Sequence, residues 1–448
     1  MTQSLSDITQ SMIETALRAG ADSCDALAVD GTSISINVRN GALEQAERSE
    51  GIDIGLRVLV GQKQANVSSS DVKPETISEM AERAVAMAKE APDDPYLGLA
   101  ETSQLATNLD TASLELFDPS EEPDPASLQD AACRAEASAL ENTGISQVQS
   151  ASAGYGRRRV HLAASNGFAA GYSRTDHGLS CVAISGEGTG MERDYDYDSR
   201  VFASDMRAAE EIGARAAARA VERHGASKPK TGAYPVLFDE RIASSLIGHL
   251  LQAVNGAAVA RGSSWLRDAM GDQVLPSQLS VLEEPHRVRA FASRMFDAEG
   301  LPTQDRAIVK DGVLQGWTLD LANARKLGMD STASAVRGTG SPPSPGLSNV
   351  ALTQGNKSKS ELLSEMGTGL LITSMIGSTI NPNTGDYSRG ASGFWVENGE
   401  IMHPVNECTV AGNLRDMLMN VTPANDAQTH LSRVVPSLLV EGLTLAGE

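Results

Sequence analysis

The chain has 448 residues, too many for one ordinary hydrophobic core, so two or three domains are expected. Its 58 aspartates and glutamates outnumber 37 lysines and arginines, and a formal charge of −21 argues against a nucleic-acid surface, which needs a basic field against the phosphates. No run approaches about 18 apolar residues, and the opening MTQSLSDITQSMIETALRAG lacks a basic stretch followed by an apolar one. The expectation is a soluble, cytoplasmic chain with no membrane and no direct nucleic-acid contact. Cys24, Cys133, Cys181 and Cys408 form neither CxxC pairs nor a dense staple pattern, so reduced and mostly buried thiols are expected.

Residues 4–19 carry Ile8, Met12, Ile13, Ala16 and Leu17 at helical spacing and stop at Gly20, which predicts an amphipathic helix. The alternation of SISINV predicts a strand over 33–38. Asn40-Gly41 predicts a hairpin turn, and GIDIGLRVLVGQKQANVS alternates again from Gly51. Residues 75–90 return to helical spacing and end before Pro92. The proline- and acid-rich stretch 90–125 reads as an extended connection over the surface. A helix at 126–141, alternating runs around Asn166-Gly167 and a helical stretch over 203–223 follow. The recurrence of helix, antiparallel meander and helix reads as a weak internal duplication, or as coincidence between two generic units.

Tyr234–Phe238 then reads as a strand, and Glu240–Gly256 as a helix offering Ile242, Leu246, Ile247, Leu250, Leu251 and Val254 to a core. Strands and loops are expected from Ser280 to Ile308, with a hairpin turn at Asp311-Gly312. A short helix over Leu319–Gly328 is flanked by Asp320, Arg325 and Lys326, expected as solvated end charges. Val336–Ser360 is rich in proline, glycine and serine and predicts a mobile loop or an irregular edge. The predicted class is α+β: N-terminal antiparallel sheet units with helices, followed by a β-rich C-terminal domain. The expected divisions are 1–95, a connection with a central α+β domain at 96–228, and 229–448.

The stretch Gly367–Leu414 breaks into short apolar clusters separated by Asn-Pro, Thr-Gly and Asn-Gly, which predicts strands and tight loops. Within it, GDYSRGASGFW offers Gly385, Gly390 and Gly393 for a close backbone pass. Asp386 and Arg389 can orient each other or grip a chain end, and with Phe394 and Trp395 they make a candidate peptide cleft. The competing reading is a glycine-rich turn with a surface ion pair and two core aromatics. His403 and Cys408 form a weaker candidate, as a metal pair or as a thiol with its base. Five residues apart in a strand, they face opposite sides unless a bulge intervenes. No two of the seven histidines have the i,i+4 spacing that aligns ligands on a helix.

GTGLLITSMIGSTINPNTGDYSRGASGFWVENGEIMHPVNECTVAGNL resembles the C-terminal domain of the TldD/PmbA family, in particular its PmbA (TldE) branch, formerly called modulator of DNA gyrase. Similar stretches run over Pro285–Gly338 and Pro436–Gly447, in the family's order, so the resemblance covers nearly the whole chain. It implies a metallopeptidase complex in which a TldD-like partner carries a metal, expected to be zinc, on an HExxxH helix. This chain would complete a chamber for extended or unfolded peptides, and would be a homodimer when alone. In the matching stretch GHLLQA, Gly248 and Ala253 stand at the ligand positions and His249 at the glutamate's place. Neither glycine nor alanine offers a side-chain lone pair, so this chain is expected to hold no cofactor and no catalytic residue of its own. The alternatives are a self-sufficient peptidase using an unrecognised site, or a non-enzymatic regulatory or binding protein. The negative charge weighs against direct action on DNA.

Overall fold

The computed structural model describes residues 4–448, the side chain of Ser378 excepted. The N-terminal unit runs α1 (Leu5–Arg18), β1 (Ser23–Arg39), β2 (Ala42–Val60), β3 (Lys63–Ser69) and α2 (Pro74–Glu90). Ser4 caps α1 in a reciprocal capping box with Asp7, which satisfies backbone donors that a helix start leaves open. The buried stripe of α1 is narrower than expected: Ile8, Met12, Ile13 and Ala16 are inside, but Leu17 is 42% exposed. Asn40 and Gly41 take φ of 55° and 68°, as a two-residue hairpin turn requires. The run after Gly51 is two strands rather than one, because Gly61, at φ 58°, turns the chain between β2 and β3.

The second unit repeats the order as α3 (Pro125–Leu140), β4 (Ile145–Ala164), β5 (Ala169–Ser185), β6 (Glu192–Arg200) and α4 (Ala209–Glu222). The helix expected over 203–223 starts only at Ala209, after a strand that the hydrophobic pattern hides. In β6 the alternate buried positions are Asp194, Asp196 and Asp198. Each is neutralised: Arg241 lies 2.9 Å from Asp194, Arg219 2.7 Å from Asp196 and Arg200 2.9 Å from Asp198. The two units share one sheet of order β3-β2-β1-β4-β5-β6, joined where Asp25 to Val38 of β1 lie antiparallel to Ala164 to Ala151 of β4. Helices α1 and α2 cover Ala26, Ala28, Ile54 and Leu56. Helices α3 and α4 cover Ile36, Val38, Ala151 and Cys181 on the same side. The opposite face looks onto the C-terminal half.

That half contains β7 (Gly232–Phe238), α5 (Glu240–Ala253), α6 (Gly256–Ala260), β8 (Val281–Glu283), β9 (Arg306–Lys310), β10 (Val313–Leu314) and α7 (Leu321–Leu327). It continues through β11 (Ala335–Val336), β12 (Ser344–Pro345), β13 (Val350–Leu352), α8 (Lys359–Met366), β14 (Gly369–Ile380), β15 (Asp386–Glu397) and β16 (Glu400–Asn413). It ends with α9 (Leu414–Met419), β17 (Val421–Pro423), β18 (Arg433–Val434) and β19 (Leu438–Ala446). Strands β16-β15-β14-β7-β19 close into a barrel through pairing of β16 with β19, and a second sheet runs β10-β9-β8-β13-β18. Leu246, Ile247 and Leu250 of α5 are fully buried in the core that also takes Val236, Leu370, Val410 and Val440 of the barrel.

Two expectations change here. Val336–Ser360 is partly built into a sheet, because Val350–Leu352 lies between β8 and β18. Of the charges at α7, Lys326 is exposed as expected, but Asp320 is buried and its carboxylate accepts from Asn323 N at 2.9 Å. Arg325 donates to the carbonyls of Tyr96, Gly98 and Leu99 and ties the long connection to the C-terminal half.

Candidate functional site

Helix α5 begins at Asp239, whose carboxylate accepts from Arg241 N at 3.2 Å and is held below the usual range against its burial by Lys359 and Arg241. The helix buries its leucine and isoleucine face and turns Ser245 and His249 toward β15. A Cβ added at Gly248 would meet nothing within 4 Å, so space is present there but a donor is not. Ala253 presents a buried methyl group. The His249 ring sits edge-on to Tyr387 with centroids 5.8 Å apart, and neither ring nitrogen has a hydrogen-bond partner. Burial, with the positive charge of Arg389 behind it, pushes the imidazole down to about 4. His249 is therefore neutral near pH 7 and fills space. Among the described residues no three His, Cys, Asp or Glu side chains gather to hold a metal ion. The donor set on this helix does not fit the HExxxH metal.

On β15 the glycines act as the sequence suggests. A Cβ at Gly393 would lie 1.9 Å from the Leu371 carbonyl oxygen on β14, so only glycine permits that approach. Asp386 and Arg389 do not pair. Asp386 accepts from Thr384 Oγ1 at 2.6 Å and Asn413 Nδ2 at 3.1 Å. Arg389 donates from Nε to Gly377 O at 2.7 Å and reaches Ser245 Oγ at 3.4 Å, which places it beside His249 and Tyr387. Phe394 and Trp395, being adjacent in a strand, point to opposite faces. Phe394 packs with Leu237, Leu362 and Leu371, whereas Trp395 enters the barrel core, edge-on to Tyr234 at 5.0 Å. The four residues thus do not converge on one surface; Arg389 gathers instead with Ser245, His249 and Tyr387.

The bulge that could bring His403 and Cys408 to one face exists: Glu407 has φ 48°, and Cys408 opposes Ala391 while Val405 opposes Gly393. It does not make them a pair. Cys408 is buried, donates its S–H to Ala391 O at 3.2 Å, and burial pushes its thiol up to about 11. His403 is exposed, opposite Trp395. All four cysteines are free thiols, three of them buried.

Sequence reasoning missed a cleft of about 930 Å³ between the helix-free face of the N-terminal sheet and the loops of the C-terminal half. Its lining includes Gly31, Gly51, Arg158, Arg174, Arg294 and Arg337. The available signal was the alternation of β4 and β5, but the register that sets Arg158 directly opposite Arg174 is visible only in the folded sheet.

The architecture is a two-part scaffold, a helix-backed sheet and a closed barrel, with Gly248 and Ala253, neither of which carries a metal donor, on α5. The chain belongs to the PmbA/TldD metallopeptidase family, in its PmbA branch. Residues 24–88, 114–223 and 231–447 match the PmbA/TldA metallopeptidase domain 1, central domain and C-terminal domain. A protein of Escherichia coli O157:H7 named metalloprotease PmbA is 37% identical over 98% of this chain and 96% of its own length. A PmbA homologue of Haemophilus influenzae is 36% identical over 99% of this chain and 96% of its own. The fold superimposes on a Bacteroides thetaiotaomicron crystal structure, described as a proposed modulator of DNA gyrase, with TM-score 0.91 at 26% identity, covering 98% of both chains. The crystal structure of TldE from Thermococcus kodakarensis shares the fold, with TM-score 0.84 at 19% identity over 98% of this chain and 99% of that one.

Proposed function

We propose that this chain is the non-hydrolytic subunit of a cytoplasmic TldD-type peptidase assembly. It closes a chamber and holds an extended peptide while a TldD-like partner supplies the metal, zinc by expectation, and cleaves. One observation carries this reading: a PmbA-branch chain whose motif helix has Gly248, Ala253 and an uncharged, unpartnered His249 where a metal and its water-activating base would be needed. The test is to co-express the chain with an HExxxH-containing homologue from the same genome and assay each chain alone and together. The expected outcome is co-elution, peptide turnover only in the mixture, and transition metal in the partner but not in this chain. Turnover by this chain alone at the rate of the mixture, with about one metal per chain, would overturn it. Alone, the chain is expected to sediment as a dimer.

Within this reading Arg389 is the residue of β15 placed to serve the chamber, because its guanidinium is only half-buried and meets a carbonyl and a hydroxyl rather than a carboxylate. Arg389→Ala should leave the melting point and dimer mass nearly unchanged and lower turnover by the mixed assembly about tenfold, the loss of one charge-assisted contact. Full turnover would remove Arg389 from the account, and a collapsed melting point would make it structural.

A further inference from the structure

Four residues form a straight row across the helix-free face of the N-terminal sheet. Gly51 of β2 opposes Gly31 of β1, Gly31 opposes Arg158 of β4, and Arg158 opposes Arg174 of β5. Neither glycine has another atom within 4 Å of where a Cβ would stand, so the first half of the row is a bare floor. The second half sets two like charges directly opposite each other, an arrangement that destabilises a sheet unless something offsets it. Arg158 is exposed, and its side chain makes no ion pair or hydrogen bond among the described residues. Arg174 lies over the Tyr172 ring and spends its terminal nitrogens on the carbonyls of Phe291 and Ser293. Arg294 likewise holds the carbonyls of Ala335 and Gly346. The Nε groups of Arg174 and Arg294 are buried without partners. Burial lowers the pKa of Arg174, and the charges of Arg294 and Arg158 lower it further, against opposing contributions from Tyr172 and Asp176.

The acids that line the cleft make no ion pair with these arginines. Glu50 lies 3.1 Å from Arg48, and Asp297 is wrapped by the backbone N–H groups of Glu299, Leu301 and Ala335. Asp53 stands exposed at the rim. In a chain of charge −21 an arginine cluster facing a cleft with two glycines in its floor is a place for an anion. The neighbouring backbone says what kind. Strand β3 pairs with β2 only from Ile54 onward, so Ser49–Asp53 border the cleft with β1 on one side and no strand on the other. An unpaired edge offers amides and carbonyls to an extended chain.

We propose that this row is a carboxylate-binding groove for extended peptides: the chain meets the free edge at Ser49–Asp53, crosses Gly51 and Gly31, and places a carboxylate on Arg158 beside Arg174. Strands lie about 5 Å apart, so Gly51 to Arg158 is about 10 Å, the reach of three extended residues. The inference deepens the peptide-holding role proposed above but needs neither a metal nor a second subunit.

The test uses the purified full-length chain and three short alanine peptides, titrated by ligand-observed NMR at low ionic strength. One has a free C-terminal carboxylate, one is the amide, and one is the amide with a single internal glutamate. The free acid is expected to bind at least about tenfold more tightly than the amide, and Arg158→Ala to abolish that preference. Gly31→Val, which builds methyl groups on the groove floor, should abolish binding of the acid with the melting point retained. Binding of the glutamate peptide alone, lost in Arg158→Ala, assigns the carboxylate to a side chain rather than a terminus and still supports the groove. Equal binding of acid and amide, a preference that survives Arg158→Ala, or no binding of either acidic peptide up to about 5 mM overturns it. A failed co-purification with a TldD-like chain would leave this result standing, and the reverse also holds.

Discussion

At the scale of single residues, His249 shows a buried imidazole serving as an apolar group. The ring is kept neutral by burial and by Arg389, and it packs against Tyr387 as an apolar group would. Its folded pKa of about 4 lies below the unfolded value of 6.5, so on acidification the unfolded chain takes up the proton first. The stability this residue contributes is full above 6.5 and drains away as the pH falls toward 4. Partial solvent screening keeps the slope under about 1 kcal/mol per pH unit. His249→Phe removes both unpartnered nitrogens and the titration, so its melting point should fall less than the parent's between about pH 7 and pH 4.5. Calorimetry at the two pH values decides: an equal fall in parent and variant would show that the imidazole is not desolvated as the geometry implies.

At the scale of elements, glycine positions separate by what lies above them. Gly393 sits where β15 crosses so close to β14 that a methyl group would meet the Leu371 carbonyl at 1.9 Å. Backbone cannot yield cheaply at that point, and Gly393→Ala should cost roughly 2–3 kcal/mol, read as a shift of the denaturant midpoint. Gly248 in the interior of α5 meets nothing, and there the same change should stabilise by roughly 0.5–1 kcal/mol, because alanine is the better helix former. A destabilised Gly248→Ala would mean that the open space beside the helix is filled in solution.

At the scale of the whole molecule, the two halves are joined by buried charge as well as by apolar contact. Asp25 in the sheet accepts from Arg57 at 2.7 Å and from Arg337 of the C-terminal half; burial alone would raise its pKa, but Arg337 and Arg57 outweigh that. Phe168 meets Phe296 edge-on at 5.2 Å, and the Thr339 carbonyl lies where a Cβ on Gly55 would be. Glu299 at this junction is almost fully buried, and burial followed by the charge of Asp297 pushes it up to about 8. Between its unfolded value of 4.5 and about 8 the folded chain keeps a proton that the unfolded chain has released. Stability from this group is therefore greatest below 4.5 and falls as the pH rises to about 8, by at most about 1.4 kcal/mol per unit. Glutamine mimics the protonated acid and keeps an acceptor for Leu321 N, which Glu299 binds at 2.8 Å. Glu299→Gln should thus melt higher than the parent at about pH 8.5 and nearly level with it at about pH 4. A parent-like slope would place the titration on Asp297 instead.

The chain's own order of residues determined a good deal. Asn40-Gly41 and Asp311-Gly312 mark hairpin turns because their positive φ is a local cost that few residues accept. The α+β class and the family follow from runs of residues that are local in the same sense, and the absence of side-chain donors at Gly248 and Ala253 is legible without coordinates. Tertiary structure decided the rest. The β6 strand escaped the hydrophobic pattern because Asp194, Asp196 and Asp198 face inward to arginines supplied largely by α4 and α5, elements the strand's own composition does not reveal. Arg389 bonds the Gly377 carbonyl rather than the nearby Asp386, and Phe394 and Trp395 part to opposite faces. Gly51, Gly31, Arg158 and Arg174 became a row only through strand register. Alternation tells which residues share a face, but pairing between strands far apart in the chain decides which of them meet.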